Sequence, residues 1–162
     1  MSDALYSLSE QIGSCLLQRE HKLVTVESCT GGWISKCISD VSGSSAWFDQ
    51  GFVTYSDQSK IVLLGVHQRT IEMYGAVSEN TLREMVAGAL AKTNANIALG
   101  VTGIAGPSGG STGKPVGTVW LGWQIRACSF HSQRVQLVGD RESVRRESVK
   151  LALDGVLRVY GD

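Results

Sequence analysis

The period of the apolar positions changes along the chain, and the changes mark its elements. Leu5, Leu8, Ile12, Cys15 and Leu16 recur at three- and four-residue intervals, so the chain opens with an amphipathic helix. Residues 23–26 form a short β-prone run that predicts a buried strand. It leads through Glu27, Ser28, Cys29, Thr30, Gly31 and Gly32 into a helix over about 32–39. A turn at 41–46 precedes a second strand over 47–55, interrupted by Gly51. Ser56 is placed to cap a helix over 56–64 that Gly65 stops, and a further helical segment covers 68–74. Ser78 caps the next helix, whose face is Leu82, Met85, Val86, Ala89 and Leu90.

An apolar strand at 97–101 enters the longest glycine-rich stretch, TGIAGPSGGSTGKP at 102–115. Two strands follow, over 116–125 and 130–137, with a turn at 126–129. A last helix over about 141–160 puts Val149, Leu153, Val156, Leu157 and Tyr160 on one stripe. No repeat or linker divides these segments, so residues 1–162 are expected to make one domain. Helices between strands imply a layered α/β fold, and the late hairpin implies a mixed β-sheet flanked by helices.

Composition narrows the partners. Fifteen basic and fifteen acidic side chains cancel, so no global field attracts nucleic acid or an anionic membrane. No apolar run approaches the roughly 18 residues of a membrane span. The N-terminus lacks the basic and apolar regions of a signal peptide, and the four cysteines form no CxxC pair. Free thiols in a reducing cytoplasm are the simplest expectation. No His, Cys, Asp or Glu set has metal spacing, so neither metal nor cofactor is expected.

Four features bear on chemistry. A serine at a strand end, before two glycines and a helix, places a hydroxyl where helix N-terminal N–H groups can meet developing negative charge. The same pattern fits plain helix capping by Ser28 and Thr30. A serine nucleophile needs a base, and His21, His67 and His131 lie outside any motif. A desolvated lysine can serve, but pattern alone does not choose Lys60 over Lys36 or Lys114. The glycine-rich loop misses both the P-loop and the dinucleotide fingerprint, which leaves a flexible backbone able to cradle a phosphate or oxyanion. Arg141, Arg145 and Arg146 in GDRESVRR suit an anion or an ordinary solvated helix start.

Taken in order, ESCTGG at 27–32, GSSAWF at 43–48, GFVTYSDQSK at 51–60, GAVSE at 75–79, TGIAGPSGG at 102–110, KPVGTVW at 114–120 and GDRESVRR at 139–146 resemble the CinA C-terminal-domain family. The resemblance covers about residues 8–160, in the form without the N-terminal domain of longer members. It implies hydrolysis of the carboxamide of nicotinamide mononucleotide (NMN) to nicotinic acid mononucleotide and ammonia. It also implies a metal-free serine–lysine mechanism with Ser28 as nucleophile and Lys60 as base. Tyr55, Thr102 and Arg145 match as active-site support. Backbone N–H groups near Thr30 and Gly31 are then expected to hold the oxyanion, and Arg145 with the loop from Gly103 to Gly110 to hold the 5′-phosphate. Burial beside residues 61–64, and positive charge such as Arg145, would lower the Lys60 pKa. A homo-oligomer, a dimer or larger, is expected. The alternatives are a nucleotide-binding module of weak activity and a phosphohydrolase using the glycine-rich loop.

Overall fold

The computed structural model describes residues 3–161. Five strands are formed: β1 (Leu23–Glu27), β2 (Phe48–Val53), β3 (Ile97–Gly103), β4 (Thr118–Ile125) and β5 (Phe130–Gln136). They make one sheet of order β2-β1-β3-β4-β5. Strands β2 and β3 flank β1 in parallel, and β4 and β5 continue antiparallel, which gives the expected mixed sheet.

Alternation along the strands builds two cores. Leu23 of β1 and Ile97, Leu99 and Val101 of β3 face one side, with helices α1 (Ala4–Gln18), α2 (Trp33–Ser39) and α6 (Arg141–Gly161). Val24 and Val26 of β1 and Ala98 of β3 face the other, under Leu82, Met85, Val86 and Ala89 of α5 (Glu79–Lys92). Helices α3 (Asp57–Leu64) and α4 (Gln68–Tyr74) pack on α5. β1 is therefore buried at every position, as a parallel strand covered on both faces must be. The result is a single layered α/β domain. No described helix is long and apolar enough to cross a membrane.

Side-chain caps and glycine conformation set the helix ends within a few residues. The Ser56 and Ser78 side chains accept from the N–H groups of Ser59 and Thr81, and Gly65 ends α3 at φ 71°. The second strand is shorter than expected. Trp47 closes a 3-10 turn (Ser44–Ala46) and is buried, while Thr54 and Tyr55 leave the ladder. Their carbonyls turn instead toward Lys60.

Register positions the site. Glu27 pairs with both Val53 and Val101, so β1 and β2 end level and β3 runs two residues further, through Thr102 and Gly103. Ser28 N–H donates to Val101 O (3.1 Å) and Thr54 N–H to Glu27 O (2.8 Å). The segments just past three parallel strands thus converge on one sheet edge, where α/β sheets commonly bind ligands.

Candidate active site

At that edge the Lys60 Nζ lies 3.1 Å from Ser28 Oγ, 2.7 Å from Thr54 O and 3.5 Å from Tyr55 O. Ser28, Tyr55, Lys60, Thr102, Gly103 and Arg141 are among the residues lining a cleft of about 260 Å³ over this contact. Lys60 is only 1% exposed. Burial holds its pKa below that of an ordinary lysine, and Asp57 and Cys29 act weakly the other way. Desolvation is what lowers it, and the Arg145 guanidinium expected to help is engaged instead by the carbonyls of Cys29 and Thr30. A neutral amine has two N–H donors and one lone pair. The two carbonyls can take the donors, which leaves the lone pair for the Ser28 hydroxyl. The rival lysines are elsewhere: Lys36 pairs with Asp40, and Lys114 donates to Tyr74 O.

The turn after β1 departs from the expected use of its N–H groups. Gly31 and Gly32 have φ of 61° and 99°, the left-handed region that favours glycine, and this lets the chain turn sharply from strand to helix. Gly31 N–H is consumed by Ser28 O at 3.1 Å. The N–H groups of Gly32, Ile34 and Ser35 all donate to the Glu27 carboxylate, at 3.1, 3.0 and 2.8 Å. The N-terminus of α2 is thus not free to meet an oxyanion. What remain are the N–H groups of Cys29 and Thr30, which donate to no backbone carbonyl among the described residues. Cys29 lines the cleft, whereas Thr30 and Gly31 do not. The Thr30 side chain is fully buried, with an unpartnered hydroxyl.

Arg145 also departs from expectation, since it does not line this cleft. Its Nε and Nη2 donate to the carbonyls of Cys29 and Thr30, each at 3.0 Å, and its guanidinium lies 5.4 Å from the Trp33 ring centroid. Across a trans peptide the N–H points opposite to the C=O. By holding the Cys29 carbonyl, Arg145 turns Thr30 N–H away from itself. The arginine that does line the cleft is Arg141, one helical turn earlier, which the sequence pattern offers only alongside Arg145 and Arg146. It donates to Gly106 O at 2.7 Å and to the Tyr55 hydroxyl at 2.9 Å, and so ties the glycine-rich loop to the end of β2.

The remaining expected residues divide between lining and support. Tyr55 lines the cleft and is 60% exposed. Thr102 is buried and donates to Ala76 O at 2.9 Å, which fixes the opposite wall. Gly103 lies at the end of β3 on the cleft. Cys29 stands beside the nucleophile position, but burial pushes its thiol up to about 11, so it is protonated near neutral pH. Glu27 escaped the sequence reading as well. The available signal was a carboxylate at the end of a short β-prone run, a few residues before a helix start.

Residues 5–160 match the family described as the CinA C-terminal domain. The nicotinamide-nucleotide amidohydrolase PncC of Escherichia coli (strain K12) is 47% identical over 154 residues, 94% of this chain and 93% of that one. The PncC of Pseudomonas putida is 47% identical over 157 residues, 97% of this chain and 98% of that one. The crystal structure of the competence/damage inducible protein CihA from Agrobacterium tumefaciens superposes with a TM-score of 0.95 at 37% identity, covering 100% of this chain and 98% of that one. With a family match over residues 5–160, near-complete coverage by relatives and a matching fold, this chain belongs to the CinA C-terminal domain family.

Proposed function

We propose that this chain hydrolyses the carboxamide of NMN to nicotinic acid mononucleotide and ammonia, in pyridine nucleotide salvage, with residues 1–162 acting as one amidohydrolase domain. The observation that carries the proposal is the 3.1 Å contact between the Ser28 hydroxyl and a buried lysine at the floor of the cleft. The substrate class is supported by the PncC relatives, which are named nicotinamide-nucleotide amidohydrolases.

Lys60, neutral at rest, takes the Ser28 proton as Oγ attacks the carboxamide carbon. The tetrahedral oxyanion accepts from Cys29 N–H, with Thr30 N–H beside it. Lys60 then passes the proton to the departing nitrogen, and ammonia leaves an acyl-serine. A water, deprotonated by Lys60, releases nicotinic acid mononucleotide and restores Ser28. Arg141 and the loop from Gly103 to Gly109 hold the 5′-phosphate. Arg145 acts behind the turn, and Tyr55 orients Arg141. Thr102 sets the facing wall.

The same proposal includes a cytoplasmic location, supported by four free cysteines, and a homo-oligomer, a dimer or larger. Product analysis after incubation with NMN, wild type beside Ser28→Ala, tests the reaction. Nicotinic acid mononucleotide and ammonia in equal amounts are expected from wild type only. Light scattering after size-exclusion chromatography reads the assembly.

A further inference from the structure

Glu27 is completely buried, it adjoins the nucleophile, and no chemical step above uses it. Its carboxylate receives four hydrogen bonds: from the N–H groups of Gly32, Ile34 and Ser35, and from Ser35 Oγ at 2.9 Å. All four partners donate, so it works purely as an acceptor. It does not line the cleft, and so it has no route to the substrate. Its own carbonyl accepts from Thr54 N–H, and Thr54 O in turn accepts from Lys60. One residue therefore joins the three segments that place Ser28 and Lys60.

The surroundings are shaped around this carboxylate. Ser35 Oγ also lies 2.7 Å from Thr25 Oγ1. Gly51 of β2 lies over that pair, where a Cβ would stand 2.4 Å from Ser35 Oγ and 2.7 Å from Thr25 Oγ1. Glycine at 51 is what lets the edge strand close over the Ser35 hydroxyl. On the other side of the turn, Arg145 holds the carbonyls of Cys29 and Thr30. The carboxylate gathers donors beyond the turn while the guanidinium gathers acceptors within it. The peptides between them have little freedom to rotate.

We infer that Glu27 is a positioning residue for the reaction: by gathering the N-terminal N–H groups of α2 it fixes the turn that carries Ser28 and leaves Cys29 N–H as the donor facing the cleft. The inference rests on the amidohydrolase reading of Ser28 and deepens it. Glu27 should then govern the chemical step and not substrate affinity, because the cleft wall is untouched when it changes.

The test is Glu27→Gln, nearly isosteric, which replaces one acceptor oxygen with an N–H donor facing donors. Two rates are measured below the melting transition. One is turnover of NMN. The other is labelling of Ser28 by an alkyl fluorophosphonate, read by intact mass. In the labelling step a Ser28 O–P bond forms, the P–F bond breaks and fluoride leaves, while Lys60 takes the hydroxyl proton. Both kcat and the labelling rate are expected to fall about ten- to a hundredfold, with KM within about twofold and the pH midpoint of labelling unmoved. A folded Glu27→Gln chain with both rates near wild type overturns the inference, and so does a loss confined to KM. If Glu27→Gln does not fold, Ser35→Ala decides. It removes one of the four donors and should slow labelling about three- to tenfold, and an unchanged rate overturns the inference. Wild type that labels at Ser28 but releases no ammonia from NMN refutes the substrate reading alone, and labelling still judges Glu27. Wild type that does neither refutes both.

Discussion

Lys60 Nζ stands 3.1 Å from Ser28 Oγ, although 32 residues separate them in the chain. The contact exists because β1 and β2 are parallel neighbours whose ends are level. Helix α3 then starts right after β2 and returns its first turn, with Lys60, over the end of β1.

Lys60 as a base has a pH signature. A solvated lysine has a pKa of about 10.4 and is neutral in fewer than roughly one molecule in a thousand near pH 7. Burial lowers the Lys60 value and raises that fraction. kcat should rise with pH through an ionisation below that of an ordinary lysine and then level off. Lys60→Arg should lose about 10²-fold or more, since arginine keeps its proton and cannot accept another. Near-normal turnover in Lys60→Arg would show that Lys60 only anchors charge.

The same shift makes a stability prediction. The folded pKa of Lys60 lies below its unfolded value, so between the two the unfolded chain binds more protons. Stability contributed by this group is therefore lowest below the folded pKa and rises with pH from there until about 10.4. Thermal melts of wild type and Lys60→Met should show their difference moving in favour of wild type from pH 7 to pH 10. A difference independent of pH would contradict the lowered value.

Ser28 and Cys29 are adjacent and separable. Ser28→Ala should abolish amide hydrolysis. Cys29→Ala should keep most of it, because the thiol is held protonated at about 11 and alanine retains the N–H. Ammonia release from NMN by the two purified variants decides between them. A dead but folded Cys29→Ala chain beside an active Ser28→Ala chain would reverse the assignment.

Arg141 and Arg145 should fail differently. Arg141 lines the cleft, so Arg141→Ala should reduce kcat/KM for NMN about ten- to a hundredfold and spare nicotinamide riboside, which lacks the phosphate. Arg145 holds the nucleophile turn from behind. Arg145→Ala should lower kcat for both substrates alike. Kinetics of both variants on both substrates make the comparison. Equal losses for Arg141→Ala would place the phosphate elsewhere.

The sequence by itself determined the elements and the turn that carries Ser28. Helix faces, the caps at Ser56 and Ser78, the stop at Gly65 and the strand before Ser28 are set within a few residues by periodicity, side-chain capping and glycine φ. The order of its motifs carried the family resemblance. The resemblance pointed to Lys60, but local pattern did not separate it from Lys36 and Lys114, and the tertiary structure brings Lys60 to Ser28 because the three differ in fold position. It also decided between Arg141 and Arg145. These lie four residues apart on one helix, and their reach depends on how α6 docks beside the turn and the glycine-rich loop. The expected oxyanion donors changed for a similar reason. Counting N–H groups at a helix start gives the supply, but Glu27 takes three of them from one residue before the serine, and only the folded turn brings its carboxylate to them. Hydrogen bonds between segments are set by strand register and helix docking, which long-range packing fixes and local sequence does not.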